Sequence, residues 1–178
     1  MVARRSIVAS AVAGRRTPAA VAMAVVAVVI SLVALAIGSR TASAAPTSST
    51  GVIVGVYGKC MDVRGGFSAD GTPVQTYSCN GQDNQQWRLT SYRTGDTLSS
   101  LGKCLDVQNS GGRNALVQLY TCNGSGAQAW FWIPAYGGEL VNPQSGYCLD
   151  APGDRAGGSQ LKLYDCSKAA SESWQLPL

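Results

Sequence analysis

Along residues 45–178 the apolar side chains fall in short runs and form no helical stripe. Runs such as 51–57 and 74–77 alternate in polarity or are β-branched, and turn clusters cut them: Arg64-Gly65-Gly66, Asn109-Ser110-Gly111-Gly112 and Asp154-Arg155-Ala156-Gly157-Gly158. Short strands joined by tight turns have this signature, and no stretch follows the 3.6-residue helical period. The pattern predicts an all-β domain. One segment differs. Residues 21–37 form a 17-residue apolar run interrupted only by Ser31. As a helix they would span about 25 Å, short of a hydrocarbon core of about 30 Å. They are followed by Ala42-Ser43-Ala44, the small-x-small pattern that a signal peptidase accepts. Residues 1–44 therefore read as an export signal peptide, Ala45-Pro46 as the start of the mature protein, and residues 45–50 as a short flexible lead-in. An uncleaved membrane anchor is the second reading of the same leader. The pairs Arg4-Arg5 and Arg15-Arg16 fit both twin-arginine export and an ordinary positive flank.

Laying the chain against itself exposes a repeat. Gly58-Lys59-Cys60-Met61-Asp62-Val63 returns as Gly102-Lys103-Cys104-Leu105-Asp106-Val107 and as Gly146-Tyr147-Cys148-Leu149-Asp150-Ala151, offset by 44 each time. Val74-Gln75-Thr76-Tyr77-Ser78-Cys79 returns as Val117-Gln118-Leu119-Tyr120-Thr121-Cys122 and Leu161-Lys162-Leu163-Tyr164-Asp165-Cys166, and Trp87, Trp130 and Trp174 close the copies. A propeller blade has a similar period, but propellers need at least four blades and carry WD or kelch signatures, which are missing here. Three lobes, about 51–93, 94–136 and 137–178, related by pseudo-threefold symmetry, are the economical answer.

Charge changes the picture once the leader is set aside. The leader holds five of the 14 Lys and Arg and no acid, which leaves nine cations against ten acids, a net charge of −1. The basic character of the whole chain belongs to the leader, so nucleic acid is not an expected partner. After leader cleavage no membrane contact is expected either, and a monomer acting on a polysaccharide or glycan is the expected form. The remaining 134 residues suit one domain that buries roughly two-thirds of its unfolded surface.

All six Cys lie behind the leader, which reads as disulfides in an oxidising compartment. There is no CxxC pair and no His, so no zinc site and no other cofactor is expected. Six Cys allow 15 pairings, and a threefold relation leaves two kinds of set. One pairs within each repeat, Cys60 with Cys79, Cys104 with Cys122 and Cys148 with Cys166; the other links neighbouring repeats. A bridge within a repeat closes a loop of 18 or 19 residues, each contributing about 3 kcal/mol in the loop-entropy account.

The CxD, QxY and QxW elements, repeated three times in register over about residues 50–178, resemble the ricin-type lectin family, whose members include family 13 carbohydrate-binding modules. The resemblance implies a β-trefoil of twelve strands, a six-stranded barrel capped by three hairpins, with one potential sugar site per lobe. It implies that Asp62 accepts from two sugar hydroxyls, that Tyr77 is the stacking platform, and that Asn84 bonds a further hydroxyl. Gln75 lines the site and Gln85 supports or joins its polar network.

Those residue types suit the task. A carboxylate accepts from two hydroxyls, a carboxamide both donates and accepts, and Tyr offers an aromatic face with a polar tip. Lobe two keeps Asp106, Gln118, Tyr120 and Gln128 but has Ala127 in place of Asn84, so weaker binding is expected. Lobe three keeps Asp150 and Tyr164, while Lys162 replaces the Gln and Ser171-Glu172 replaces Asn-Gln. Lys162 and Glu172 could pair, or Glu172 could bind hydroxyls itself. The expected order is lobe one, two, three. The three Trp read as core packing, and Gln85 and Gln128 have an equally good structural role in fixing the Trp turn. No non-repeated carboxylate pair suggests a glycosidase, so binding without catalysis is expected, with a secreted location. The target class is a polysaccharide such as xylan, or a galactose-type sugar. The alternative is a trefoil interaction protein, inhibitor-like or toxin-subunit-like, that binds no sugar.

Overall fold

The burial pattern of the strand carrying each CxD motif explains the architecture. All four residues of β2 (Cys60–Val63) are buried. Side chains alternate across a strand, so Met61 and Val63 enter the core while Cys60 and Asp62 face the other side. There they are covered by a disulfide and by a polar network. In β6 (Lys103–Val107) and β10 (Tyr147–Asp150) every residue but the first is likewise buried, with the same alternation of faces. Their partners are β3 (Thr72–Tyr77), β7 (Val117–Tyr120) and β11 (Lys162–Tyr164), giving one antiparallel hairpin per lobe.

The protein is described by a computed structural model, in which residues 47–178 apart from Arg93 and Asp154 are described. They belong to the compact unit Ala45–Leu178. The leader and its cleavage site lie outside the described residues.

The other strands are β1 (Ser48–Gly51), β4 (Trp87–Tyr92), β5 (Gly95–Ser100), β8 (Phe131–Ile133) and β9 (Glu139–Asn142). They form two sheets, in the orders β1-β4-β5-β6-β7-β3-β2 and β11-β10-β9-β8. Isolated bridges add to the sheets, among them Leu116 to Lys162, Gln75 to Gln160, Asp96 to Trp130, Glu139 to Ser173 and Val54 to Gln175. The three hairpins meet through Val117 N–H donating to Leu161 O (2.9 Å) and Leu161 N–H donating to Val74 O (2.8 Å). The result is a β-trefoil. Eleven strands are formed among the described residues, and the twelfth of the expected set, around Trp174, is reduced to the bridges at Ser173 and Gln175.

The core repeats in layers: Met61, Leu105 and Leu149; Val74, Val117 and Leu161; Trp87, Trp130 and Trp174, all fully buried. Each indole N–H donates to the carbonyl of the residue before the repeat Asp, Met61 O at 2.9 Å, Leu105 O at 3.2 Å and Leu149 O at 3.0 Å. The Trp residues are thus core residues, as read from the sequence, and they also fix the strand that carries the carboxylate. The disulfides are those within each repeat.

Two sequence expectations are corrected here. Residues 48–50 are not part of a flexible lead-in. They pair with β4 from Ser48↔Thr90 to Gly51↔Trp87, because the edge of β4 offers unpaired backbone groups. Residues 51–57 do not continue as one strand either. Gly55 lies against the Trp174 ring, where a Cβ would come within 2.6 Å, and Val56–Gly58 forms a 3₁₀ turn with Tyr57 at φ 56°.

Candidate functional site

Register places the site residues of lobe one together. Asp62 stands opposite Gln75, and Cys60 opposite Tyr77, so all four project from the same face of the β2–β3 hairpin. A 3₁₀ turn at Asp83–Gln85 brings Asn84 and Gln85 to the carboxylate. Gln75 Nε2 donates to Asp62 Oδ1 (2.8 Å), and Asn84 Nδ2 and Gln85 Nε2 donate to Oδ2 (2.8 and 2.9 Å). Asn84 also bonds Val63 O at 2.9 Å. Gln85 accepts from Asn80 N–H (2.9 Å) and donates to Ser78 O (3.0 Å), which ties the loop after Cys79 to the carboxylate. Tyr77 remains 46% exposed beside this network. A carboxylate offers about four acceptor positions. Three protein donors leave Asp62 about one, next to an open aromatic face.

Lobe two reproduces the plan with one donor fewer. Gln118 Nε2 and Gln128 Nε2 donate to Asp106 Oδ1 and Oδ2 at 2.9 and 3.0 Å. Gln128 again accepts from the loop, at Asn123 N–H (2.9 Å), and donates to Thr121 O. Ala127 stands where Asn84 stands in lobe one and cannot reach the carboxylate. A shallow depression of about 260 Å³ results, lined by Asp106, Gln118, Tyr120, Ser125 and Ala127 among others. Tyr120 is 39% exposed.

Lobe three is rebuilt. Asp150 is buried opposite Lys162, and no donor reaches its carboxylate among the described residues. Glu172 occupies the Gln position but has no N–H to give. It accepts from Ser167 N–H (2.8 Å), Ser167 Oγ–H (2.9 Å) and Ala169 N–H (3.2 Å). The suggested pair of Lys162 with Glu172 is not formed. Lys162 Nζ lies over the Tyr164 ring at 4.7 Å, and the Arg113 guanidinium lies over the same ring at 4.2 Å. Arg113 also donates to Asp165 and to the Tyr164 hydroxyl. The ring that is open in lobes one and two is here occupied by cations.

Two residues of this architecture escape the sequence reading. Arg64 Nε donates to Gln75 Oε1 (2.8 Å), which turns the other end of that amide toward Asp62, and Arg64 Nη2 bonds Gly158 O of lobe three. The 44-residue offset aligns Arg64 with Gln108 and Pro152, so comparing the positions two after each repeat Asp would have singled it out. Gln108 Nε2 makes the matching, longer bond to Gln118 Oε1 at 3.4 Å. Arg113 sits in a loop with no repeated motif, and no pattern in the sequence marks it.

A family model of the ricin-type β-trefoil lectin domain matches residues 49–174. The chain belongs to this lectin family. Curated relatives of the lectin chain include nigrin b of Sambucus nigra, 37% identical over 100 residues, or 56% of this chain and 17% of that protein. The seed lectin of Trichosanthes anguina is 37% identical over 84 residues, 47% of this chain and 15% of that protein. The match thus spans about a sixth of those relatives' length. Among solved structures, the designed threefold-symmetric protein ThreeFoil superposes with a TM-score of 0.69 at 31% identity, covering 72% of this chain and 98% of that one. A non-toxic homologue of type II ribosome-inactivating proteins from Momordica charantia, solved in complex with α-methyl-D-galactoside, gives 0.63 at 30% identity, covering 75% and 49%. Lectins of this family bind carbohydrate.

Proposed function

We propose that the mature chain is a secreted, monomeric carbohydrate-binding module without catalytic activity. In this reading it engages polysaccharide such as xylan, or galactose-type sugars, through lobe one first, lobe two second and lobe three least. The observation that carries the reading is the pair of oriented carboxylates, Asp62 and Asp106, each held by amide donors beside an exposed Tyr. A sugar hydroxyl donates to the remaining acceptor position of Asp62 and accepts from the amide network, and the C–H face of the ring lies on Tyr77. Lobe two offers the same arrangement without the Asn. In lobe three the cations over Tyr164 compete with a sugar for the platform.

The Momordica relative's galactoside complex supports a galactose-type ligand. Repetition of sites supports a polymer with repeating units, since each shallow site exchanges water hydrogen bonds for similar ones and gains little alone. Three disulfides in one small domain support an extracellular location.

The test is retention of the purified protein, disulfides intact, on insoluble xylan, cellulose, chitin and immobilised galactose, comparing wild type with Asp62→Ala and Tyr77→Ala. Tyr77 is exposed, so its truncation probes the site without disturbing the core. Retention on one matrix that falls in both variants supports the reading. Equal retention in all three proteins, or none on any matrix, sinks it in favour of an interaction protein that binds no sugar.

A further inference from the structure

Beside lobe two lies a groove of about 660 Å³ on the β4–β5 hairpin. Its floor is one face of that hairpin. Arg88, Thr90 and Tyr92 alternate along β4, and their register partners on β5 are Ser99, Thr97 and Gly95. The opposite face sends Leu89 and Leu98 into the core, which fixes the polar face outward. The far wall is the loop after Cys122, including Ser125. Ser125 also lines the lobe-two depression. Gln128, which holds Asp106, lines the groove as well. One loop is therefore the shared wall of the two hollows.

Hydroxyls of Thr90, Thr97, Ser99 and Ser125 both donate and accept, and Tyr92, 54% exposed, supplies an aromatic face. Arg88 contributes a fork of donors. Its bond to Ser48 Oγ is long, 3.4 Å, and it enters no ion pair among the described residues. Among the described residues the groove lining contains no carboxylate. The threefold repeat does not generate this surface: β4 and β5 have six residues each, whereas the corresponding β8 and β9 have three and four. The extra length stands beside the lobe that lacks the Asn.

We infer that the groove is an extension of the lobe-two site, holding the next sugars of a glycan chain of which one ring lies against Asp106 and Tyr120. Lobe two is then an oligosaccharide site, and the groove supplies contacts that Ala127 does not. The inference rests on the sugar-binding reading above.

The experiment is calorimetric titration of the full chain carrying Asp62→Ala, which silences lobe one, with xylose through xylohexaose and with galactose and its oligomers. The same titrations are run after adding Tyr92→Ala or Thr97→Val. Both positions lie on the solvent side of the hairpin, and circular dichroism checks that the fold is kept. The expected result is affinity that rises at least tenfold from monosaccharide to the longer oligomers. Tyr92→Ala and Thr97→Val should reduce that rise and leave monosaccharide binding unchanged. The inference is overturned if affinity does not depend on length, or if the rise survives both substitutions. A protein that binds no sugar of any length, with lobe one intact or silenced, overturns the underlying reading instead.

Discussion

At the scale of single residues the site depends on what a carboxamide can do and a carboxylate cannot. Gln85 and Gln128 each accept from a loop N–H at one end and donate to the repeat Asp at the other. Glu172 keeps only the first function, so Asp150 receives no donor from that position. Changing Glu172→Gln together with Lys162→Gln is expected to give Asp150 the two amide donors seen by Asp106. Arg113→Ala, added to the pair, uncovers the Tyr164 ring. Calorimetric stoichiometry with a monosaccharide should rise by about one site in the triple variant; an unchanged stoichiometry would mean that donors and platform are insufficient. The reverse change is costly. Asp62→Ala removes the acceptor that Gln75, Asn84 and Gln85 share, at about 1–3 kcal/mol for an unsatisfied group, although Asn84 and Gln85 keep Val63 O and Ser78 O. Its loss of binding should therefore be read beside that of Tyr77→Ala, where melting is expected to stay near wild type.

Elements show where the sequence was readable. The hairpins β2–β3, β6–β7 and β10–β11 follow from three copies of one motif, because a repeated unit must repeat its packing; the repeat narrowed the disulfides to two kinds of set, and the fold decides for the one within each repeat. β1 was not legible: Ser48-Ser49-Thr50-Gly51 has no apolar alternation, and its strand conformation comes from the edge of β4. The site residues of lobes one and two were legible as a constellation, but which atom faces which was not, since that depends on register and on the turn at Asp83–Gln85. The groove was invisible because it arises from hairpin length. The Trp residues illustrate an element-level dependence. Trp130→Phe keeps most of the packing but orphans Leu105 O, for an expected loss of about 1–3 kcal/mol, whereas Trp130→Ala should lose about 3–5 kcal/mol. Denaturant midpoints for the two variants check the order. A clasp between lobes gives a pH signature. Asp70 accepts from Lys103 Nζ at 2.5 Å and from Thr121 N–H at 2.8 Å. The Lys103 hydrogen bond, above all, holds its carboxyl below the ordinary value, with the Thr121 bonds helping. A carboxyl lowered in the folded state stabilises above its unfolded pKa, and that contribution is lost as pH falls through the folded value. Asp70→Asn should thus lower the melting temperature at neutral pH and converge with wild type well below roughly pH 4. Parallel curves at all pH values would show the clasp to be energetically silent.

For the whole molecule, threefold symmetry makes three surfaces equivalent, and the departures from it then make them unequal. Lobe one has the full donor set, lobe two has an open depression beside the longer hairpin, and lobe three has its ring covered by Arg113 and Lys162. On the proposed reading the lobes would bind from one small fold, so engagement of a second site on the same polymer is intramolecular and depends on geometry and not on a flexible linker. Two engaged sites can raise avidity by roughly 10² to 10⁴ over one. On a soluble monosaccharide, Asp62→Ala and Asp106→Ala should each remove one site and leave the affinity of the other unchanged, so that their effects add in stoichiometry. On an insoluble polymer either substitution alone should cost most of the avidity, and the double variant should add little to that loss. Depletion isotherms on the retained polysaccharide, set beside monosaccharide calorimetry for the same four proteins, separate the cases. Equal fractional losses on polymer and monosaccharide would mean that the lobes face directions a single chain cannot join, and that the molecule acts through one site at a time.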